Sequence, residues 1–254
     1  MLMKLLTVCA ITLCLCLHSG IIFSADVQNT FVIGVWHIAE NKYDMPEIEA
    51  ILVEAYRRIG ATVTFKCLPP KRDLVWANND EIDACAIRAK VVLRNYPNLV
   101  EVPVPLLHYS LCAFTANPGI TIHNGNDLRG HSVGVTIGKI SDEVLLQRYG
   151  VNYQTFVSPI SAVPLLLNGR LDVFVHDCLS CKSYLQQLQL ENIASHPLYT
   201  GYAYHIINRK HENIIPKLSD AFTSMIQDGT MKRLAGRLVE YLPDRTLSPR
   251  LGQS

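Results

Sequence analysis

Ile82-Asp83-Ala84-Cys85-Ala86-Ile87-Arg88 and Leu171-Asp172-Val173-Phe174-Val175-His176-Asp177 share one pattern. An apolar residue and an aspartate open a short apolar run, and a charged side chain stands five residues after the aspartate. Working outward, each run is preceded by a turn (Asn79-Asp80 or Asn168-Gly169) and by a helix-like stretch that begins after Pro69 or Pro159. Before that lies an alternating segment, Ala61 to Leu68 or Val151 to Ser158, which follows a helix ending in Arg-Ile-Gly60 or Arg-Tyr-Gly150. Each unit opens on an apolar strand with a central glycine, Val32-Ile33-Gly34-Val35-Trp36 or Ser132-Val133-Gly134-Val135-Thr136. The chain therefore contains one unit twice, from Phe31 to Arg88 and from Ser132 to Asp177.

The rhythm strand, helix, strand predicts parallel pairing with right-handed crossovers. In the first copy Asp44, Pro46 and Glu47 form a helix start, and Met45, Ile48, Leu52, Ala55, Tyr56 and Ile59 recur as one apolar stripe. Arg57 and Arg58 complement the helix dipole in the last turn, and Gly60 supplies a left-handed cap. In the second copy Ser141 is placed to cap a helix carrying Val144, Leu145 and Tyr149, and Ser158-Pro159 starts the next. Leu106 to Phe114 reads as a strand leaving the first lobe, and Tyr202 to Ile207 as a second crossing. Two amphipathic segments, broken at Asp228-Gly229, then return the tail to the first lobe. The expected fold is α/β and two-lobed, each lobe a mostly parallel sheet flanked by helices, with a ligand cleft between them. The expected division is 1–25 leader, 26–112 first lobe, 113–200 second lobe and 201–254 return to the first.

Met1 to Lys4 and the apolar stretch Leu5 to Leu17 have the form of a signal peptide, and the stretch is shorter than the roughly 20 residues a bilayer span needs. Export to the periplasm is expected, with Ser24 and Ala25 as small residues suited to cleavage. Beyond residue 25 the chain has 22 basic and 22 acidic side chains, a balance that argues against a nucleic-acid partner. Cys67, Cys85, Cys112, Cys178 and Cys181 follow the leader, so an odd number leaves at least one thiol unpaired in a monomer. Cys178-Leu-Ser-Cys181, beside His176 and Asp177, could offer ligands to zinc, but no second such pair supports a metal. A local disulfide or two half-buried thiols at a helix start is the preferred reading. No cofactor is expected.

In open parallel sheets ligands bind beyond the carboxyl ends of the strands, so two facing sheets place both sets of ends in one cleft. Arg88 is suited to grip a carboxylate bidentately, and Asp177 to accept from an ammonium group. The loop Thr136-Ile137-Gly138-Lys139-Ile140-Ser141 runs from strand to helix and offers backbone N–H groups to an anion. Trp36 and His37 follow the first strand and could wall the ligand, and Ser110 lies on the first crossing. Each has a plainer reading beside this one. Arg88 can pair with a protein carboxylate, Asp177 can cap the helix at Cys178, Trp36 can be core, and Lys139 can be a solvated loop charge. Gly138 has a turn, and Ser141 a cap, as its structural explanation.

The stretches Asp83 to Arg88 with Tyr96-Pro97-Asn98, Leu128-Arg129-Gly130 with Val133-Gly134-Val135, Leu167 to Asp172, and Asp228-Gly229-Thr230 occur in an order that resembles the family-3 extracellular solute-binding proteins. The resemblance runs from about Phe31 to Val239. It implies the type 2 periplasmic-binding-protein fold and capture of a small polar molecule, commonly an amino acid, for an ABC-type permease or a membrane receptor, by a protein acting as a monomer. It also implies that Arg88 binds the ligand carboxylate and Asp177 the amino group. The chain departs from the family where Ala84 and Ile87 precede Arg88, where Leu111 follows Ser110 and where Lys139 follows Gly138; these departures bear on the ligand rather than the fold. Two other classes stay open beside binding and transport. One is an enzyme of this fold, dehydratase-like, with His37, Glu40 or His176 as acid; no pair there has a catalytic spacing, so no enzyme is expected. The other is a partner that reports ligand to a receptor.

Overall fold

The computed structural model describes residues 30–35 and 45–243. The leader, Trp36, His37, Glu40 and Asp44 lie outside the described residues. The first repeat builds β1 (Thr30–Val35), α1 (Pro46–Arg58), β2 (Thr62–Cys67), α2 (Pro70–Asn78) and β3 (Ala84–Ala89). After a long strand, β4 (Leu99–Thr115), the second builds β5 (Val133–Thr136), α3 (Ile140–Arg148), β6 (Tyr153–Phe156), α4 (Pro159–Leu167) and β7 (Val173–Asp177). Then come α5 (Cys178–Gln187), a second long strand β8 (Ala194–Asn208), α6 (Ile215–Gln227) and α7 (Thr230–Leu234).

Both repeats fold alike. β1 pairs in parallel with β2 and β3, and β5 in parallel with β6 and β7. The repeated aspartates explain part of this. Asp83 accepts a 2.8 Å hydrogen bond from the Val32 N–H, and Asp172 accepts one of 2.8 Å from the Ser132 N–H, so each ties the turn before its strand to the start of the neighbouring strand. The Ser132 N–H holds the Asp172 carboxyl below its usual range. Burial works against Asp83, yet the Val32 N–H, His211 and Lys210 together keep it low as well. Gly60 and Gly150 occupy the left-handed region at φ 76° and 65°, which stops the helix before each second strand.

The two long strands join the halves. β4 and β8 run antiparallel to each other, β8 bordering β3 on one side and β4 bordering β7 on the other, which gives the continuous order β2-β1-β3-β8-β4-β7-β5-β6. Four apolar clusters result. One packs α1 and α6 on the β1–β3 side around Tyr56, Phe222 and Leu52. Two lie in the other half, around Phe114 and Phe174 and around Leu128 and Leu146. The fourth joins Leu74, Val92 and Tyr96 of the first half to Ile140 of the second, so the lobes touch. No helix of the described residues is long and apolar enough to cross a membrane.

Some expectations need correction. The Cys178-x-x-Cys181 pair is not a local disulfide: Cys178 bonds to Cys112 across 66 residues of chain, and Cys181 is a buried free thiol with Cys85, while free Cys67 is exposed. The antiparallel β4–β7 pairing sets Cys112 opposite His176, two residues before α5 begins at Cys178, which is what brings the two sulfurs together. Ser141 does not cap α3; Lys139 precedes the first helical residue and Ser141 lies inside the first turn.

Candidate functional site

Arg88 is the last residue but one of β3, a strand buried along its length. Its Nη2 donates to Oδ2 of Asp73 on α2, and its Nη1 donates to the Ile87 carbonyl at 2.9 Å. Asp73 has no solvent exposure, and Arg88 only 9%. Burial raises the Asp73 carboxyl above its ordinary value, while the Arg88 charge pulls it back. The aspartate reaches this depth over Gly34. A Cβ there would overlap Asp73 Oδ1 and stand 2.7 Å from Ile82 Cδ1. Arg88 therefore has a protein carboxylate on one side and the space between the lobes on the other.

From the second half comes the loop between β5 and α3. Gly138 sits at φ 77°, and its N–H donates to Glu143 Oε1 at 3.2 Å. Across the lobes it approaches the Lys71 side chain of α2, whose Cβ would lie 3.6 Å from a Cβ at 138. Ser141 accepts from the Tyr109 hydroxyl of β4 at 2.7 Å and donates to Asp142 Oδ1 at 2.9 Å. Burial raises the Tyr109 phenol, and the Asp142 and Asp177 charges raise it further, so it stays a neutral donor. Lys139 experiences the opposite balance. Burial lowers its ammonium pKa, Asp142 and Asp177 oppose that, and Arg88 lowers it further. Thr136 is buried behind the loop. Its Oγ1, Asp142 Oδ2 and both ring nitrogens of His176 have no hydrogen-bond partner among the described residues, with His176 Nδ1 3.7 Å from Asp142 Oδ2.

Asp177 ends β7 and caps α5, accepting from the Ser180 N–H at 2.7 Å. The plainer reading of this residue is therefore present in the structure. It does not exclude the other, because a carboxylate has a second oxygen. The Cys112–Cys178 bridge fixes the start of α5 to β4 directly beside it.

These groups converge on a cavity of about 360 Å³, within the range of small-molecule pockets. Arg88, Ser110, Gly138, Ser141 and Asp177, all expected at the site, line it; Thr136 does not. The structure adds Lys139, Lys182, His108, Tyr109 and Tyr241 to the lining. Lys139 was visible in sequence as a departure from the family pattern, whereas Tyr241 enters only because the tail packs back on the first lobe. Trp36 and His37 lie outside the described residues. No group of three or more His, Cys, Asp or Glu placed to hold a metal ion occurs among the described residues.

No family model matches the chain. An uncharacterized protein of Shewanella oneidensis is 23% identical over 219 residues, covering 82% of each chain. Among solved structures, a histidine kinase sensor domain with similarity to periplasmic binding proteins superposes with a TM-score of 0.70 at 16% identity, covering 85% of this chain and 99% of its own. An ancestral arginine-binding protein bound to arginine gives 0.66 at 18% identity, covering 83% and 98%. The chain thus has the two-lobed fold of the type 2 periplasmic binding proteins.

Proposed function

We propose that this protein captures a small, carboxylate-bearing polar solute, an amino acid or a relative of one, in the cavity between its two lobes. One observation carries the reading. Arg88 at a strand end of the first half, and Lys139, Ser141 and Asp177 at strand and helix ends of the second, line the same space. A ligand held by both halves favours the closed arrangement over the open one, which converts binding into a hinge motion of β4 and β8. The lobe boundaries 26–112, 113–200 and 201–254 belong to this proposal. So do export through the leader, delivery to an ABC-type permease, and action as a monomer.

Binding without chemistry fits the site better than catalysis. The buried His176 does not line the cavity, and Asp177 is committed in part to its helix. The likeness to a sensor domain favours a second reading, in which the same closure reports the solute to a membrane receptor. Calorimetric titration of refolded protein with pooled amino acids and small organic acids tests the capture. Saturable binding of one component supports it, and silence from folded protein counts against it. Copurification with a permease or with a receptor separates the two uses.

A further inference from the structure

A buried polar cluster lies behind the cavity wall. Thr136 ends β5, Asp142 stands in the first turn of α3, and His176 is the last residue but one of β7. β5 and β7 pair through Val135 and Val175, which brings the next residues, Thr136 and His176, side by side. Asp142 and His176 have no solvent exposure, and none of the three lines the cavity. Thr136 Oγ1, Asp142 Oδ2 and both ring nitrogens of His176 lack a hydrogen-bond partner among the described residues. Polar groups are costly to bury in this way, so a wall made for stability alone would be apolar here.

We infer that Asp142 is a positioning residue of the solute site: it draws the hydroxyl hydrogens of Ser141 and Tyr109 inward, so that their oxygens face the solute's ammonium group beside Asp177. This rests on the proposed capture of an amino acid or a relative of one, and assigns the place of its amino end.

Asp142 Oδ1 accepts from the Ser141 hydroxyl at 2.9 Å and from the Tyr109 hydroxyl at 3.3 Å, and the Tyr109 hydroxyl also reaches Ser141 Oγ at 2.7 Å. A carboxylate only accepts and each hydroxyl has one hydrogen, so both hydrogens are committed within this group. Ser141 and Tyr109 line the cavity, and what they have left for a solute is lone pairs. Asp177 lines the same space, and its charge acts on Tyr109 together with that of Asp142. The β4–β7 register sets Leu111, two residues along β4 from Tyr109, opposite Asp177. Two hydroxyl oxygens and a carboxylate thus gather where the second lobe meets β4, an arrangement matched to N–H donors that carry positive charge. The other Asp142 oxygen, Oδ2, turns toward His176 and stands 3.7 Å from its Nδ1. Asp142 therefore acts on the solute through the two hydroxyls.

The test is calorimetry of the refolded full chain with each standard amino acid titrated alone, in the parent, Asp142→Leu and Asp142→Asn. For an amino acid that the parent binds, Asp142→Leu should lower affinity about 10- to 100-fold, the size of hydrogen bonds to a charged group. Asp142→Asn keeps an acceptor for the two hydroxyls and should stay within about fivefold of the parent. Equal affinity in Asp142→Leu and the parent overturns the inference and leaves solute capture intact. So does an Asp142→Asn that falls as far as Asp142→Leu, because Asp142 would then act by its charge or on the fold. Should Asp142→Leu lack native circular dichroism, Tyr109→Phe decides: a fall of about 10-fold supports the inference, and unchanged affinity overturns it. The same acid with hydrogen in place of the ammonium should bind the parent more weakly, and equal binding overturns the place given to the amino end. Silence of natively folded parent toward every amino acid overturns both capture and the inference.

Discussion

Arg88 and Asp73 form a buried ion pair that exists because residue 34 is glycine. The arginine is the last residue but one of β3, the aspartate lies on α2, and the bare backbone of Gly34 leaves room for the carboxylate to reach the guanidinium. The pair aims the guanidinium and lowers the penalty of keeping it where little water reaches.

Removing one member of such a pair leaves an uncompensated buried charge, which costs about 3–5 kcal/mol. Asp73→Ala is expected to lose that much stability in denaturant titration. Arg88→Met in an Asp73→Asn background should recover part of it, since neither charge remains. A double variant no more stable than Asp73→Ala would show that the pair is not coupled.

Gly34→Ala tests the same relationship from the backbone side. A methyl there overlaps Asp73 Oδ1 and crowds Ile82. Destabilisation should exceed the ~1–3 kcal/mol usual for overpacking, because the aspartate must also leave Arg88. Soluble expression and the thermal midpoint report it; an unchanged midpoint would refute the close approach.

The Cys112–Cys178 bridge closes a loop of 66 residues. Constraint of the unfolded chain by a loop of this length stabilises by about 4 kcal/mol. Thermal unfolding with and without dithiothreitol measures this, and the midpoint should fall by several degrees on reduction. Cys181→Ser should leave the reductant effect in place, because that thiol is not in the bridge.

His205 gives the protein an acid limit. Its Nδ1 donates to the Ala86 carbonyl at 3.1 Å, so Nε2 accepts from the Tyr56 hydroxyl at 2.9 Å. Burial lowers its pKa to about 4 from an ordinary 6.5. The unfolded chain therefore binds a proton that the folded chain refuses, and this contribution is complete above pH ~6.5 and lost progressively as pH falls toward ~4. The slope approaches about 1.4 kcal/mol per pH unit within that window. Denaturant titration across it should show the decline, and His205→Gln should flatten it.

Much of the architecture was legible because it is written twice. The paired strand–helix–strand patterns, Gly60 with Gly150, and Asp83 with Asp172 each act over short range or between adjacent strands, so spacing reveals them. The two crossings were visible as apolar runs, though not as strands reaching from Leu99 to Thr115 and from Ala194 to Asn208. The placement of Arg88 and Asp177 at strand ends beside the cavity follows from the same logic. Their partners do not. Asp73 looks like any acidic residue in a first helical turn until Gly34 is seen beneath it. Cys112 meets Cys178 only through the β4–β7 register, and Lys139 reads as a surface charge until the lobes meet above it.

The most direct measurement is calorimetric titration of the parent and of Arg88→Met/Asp73→Asn with one pool of amino acids and small organic acids. The double variant removes the guanidinium without leaving a lone buried carboxylate, so its fold is testable by circular dichroism beforehand. A saturable ligand of the parent should lose about 2–5 kcal/mol of binding free energy in the variant. Equal affinity in both proteins would contradict the placement of the ligand carboxylate at Arg88, and with it the cleft between the lobes as the site.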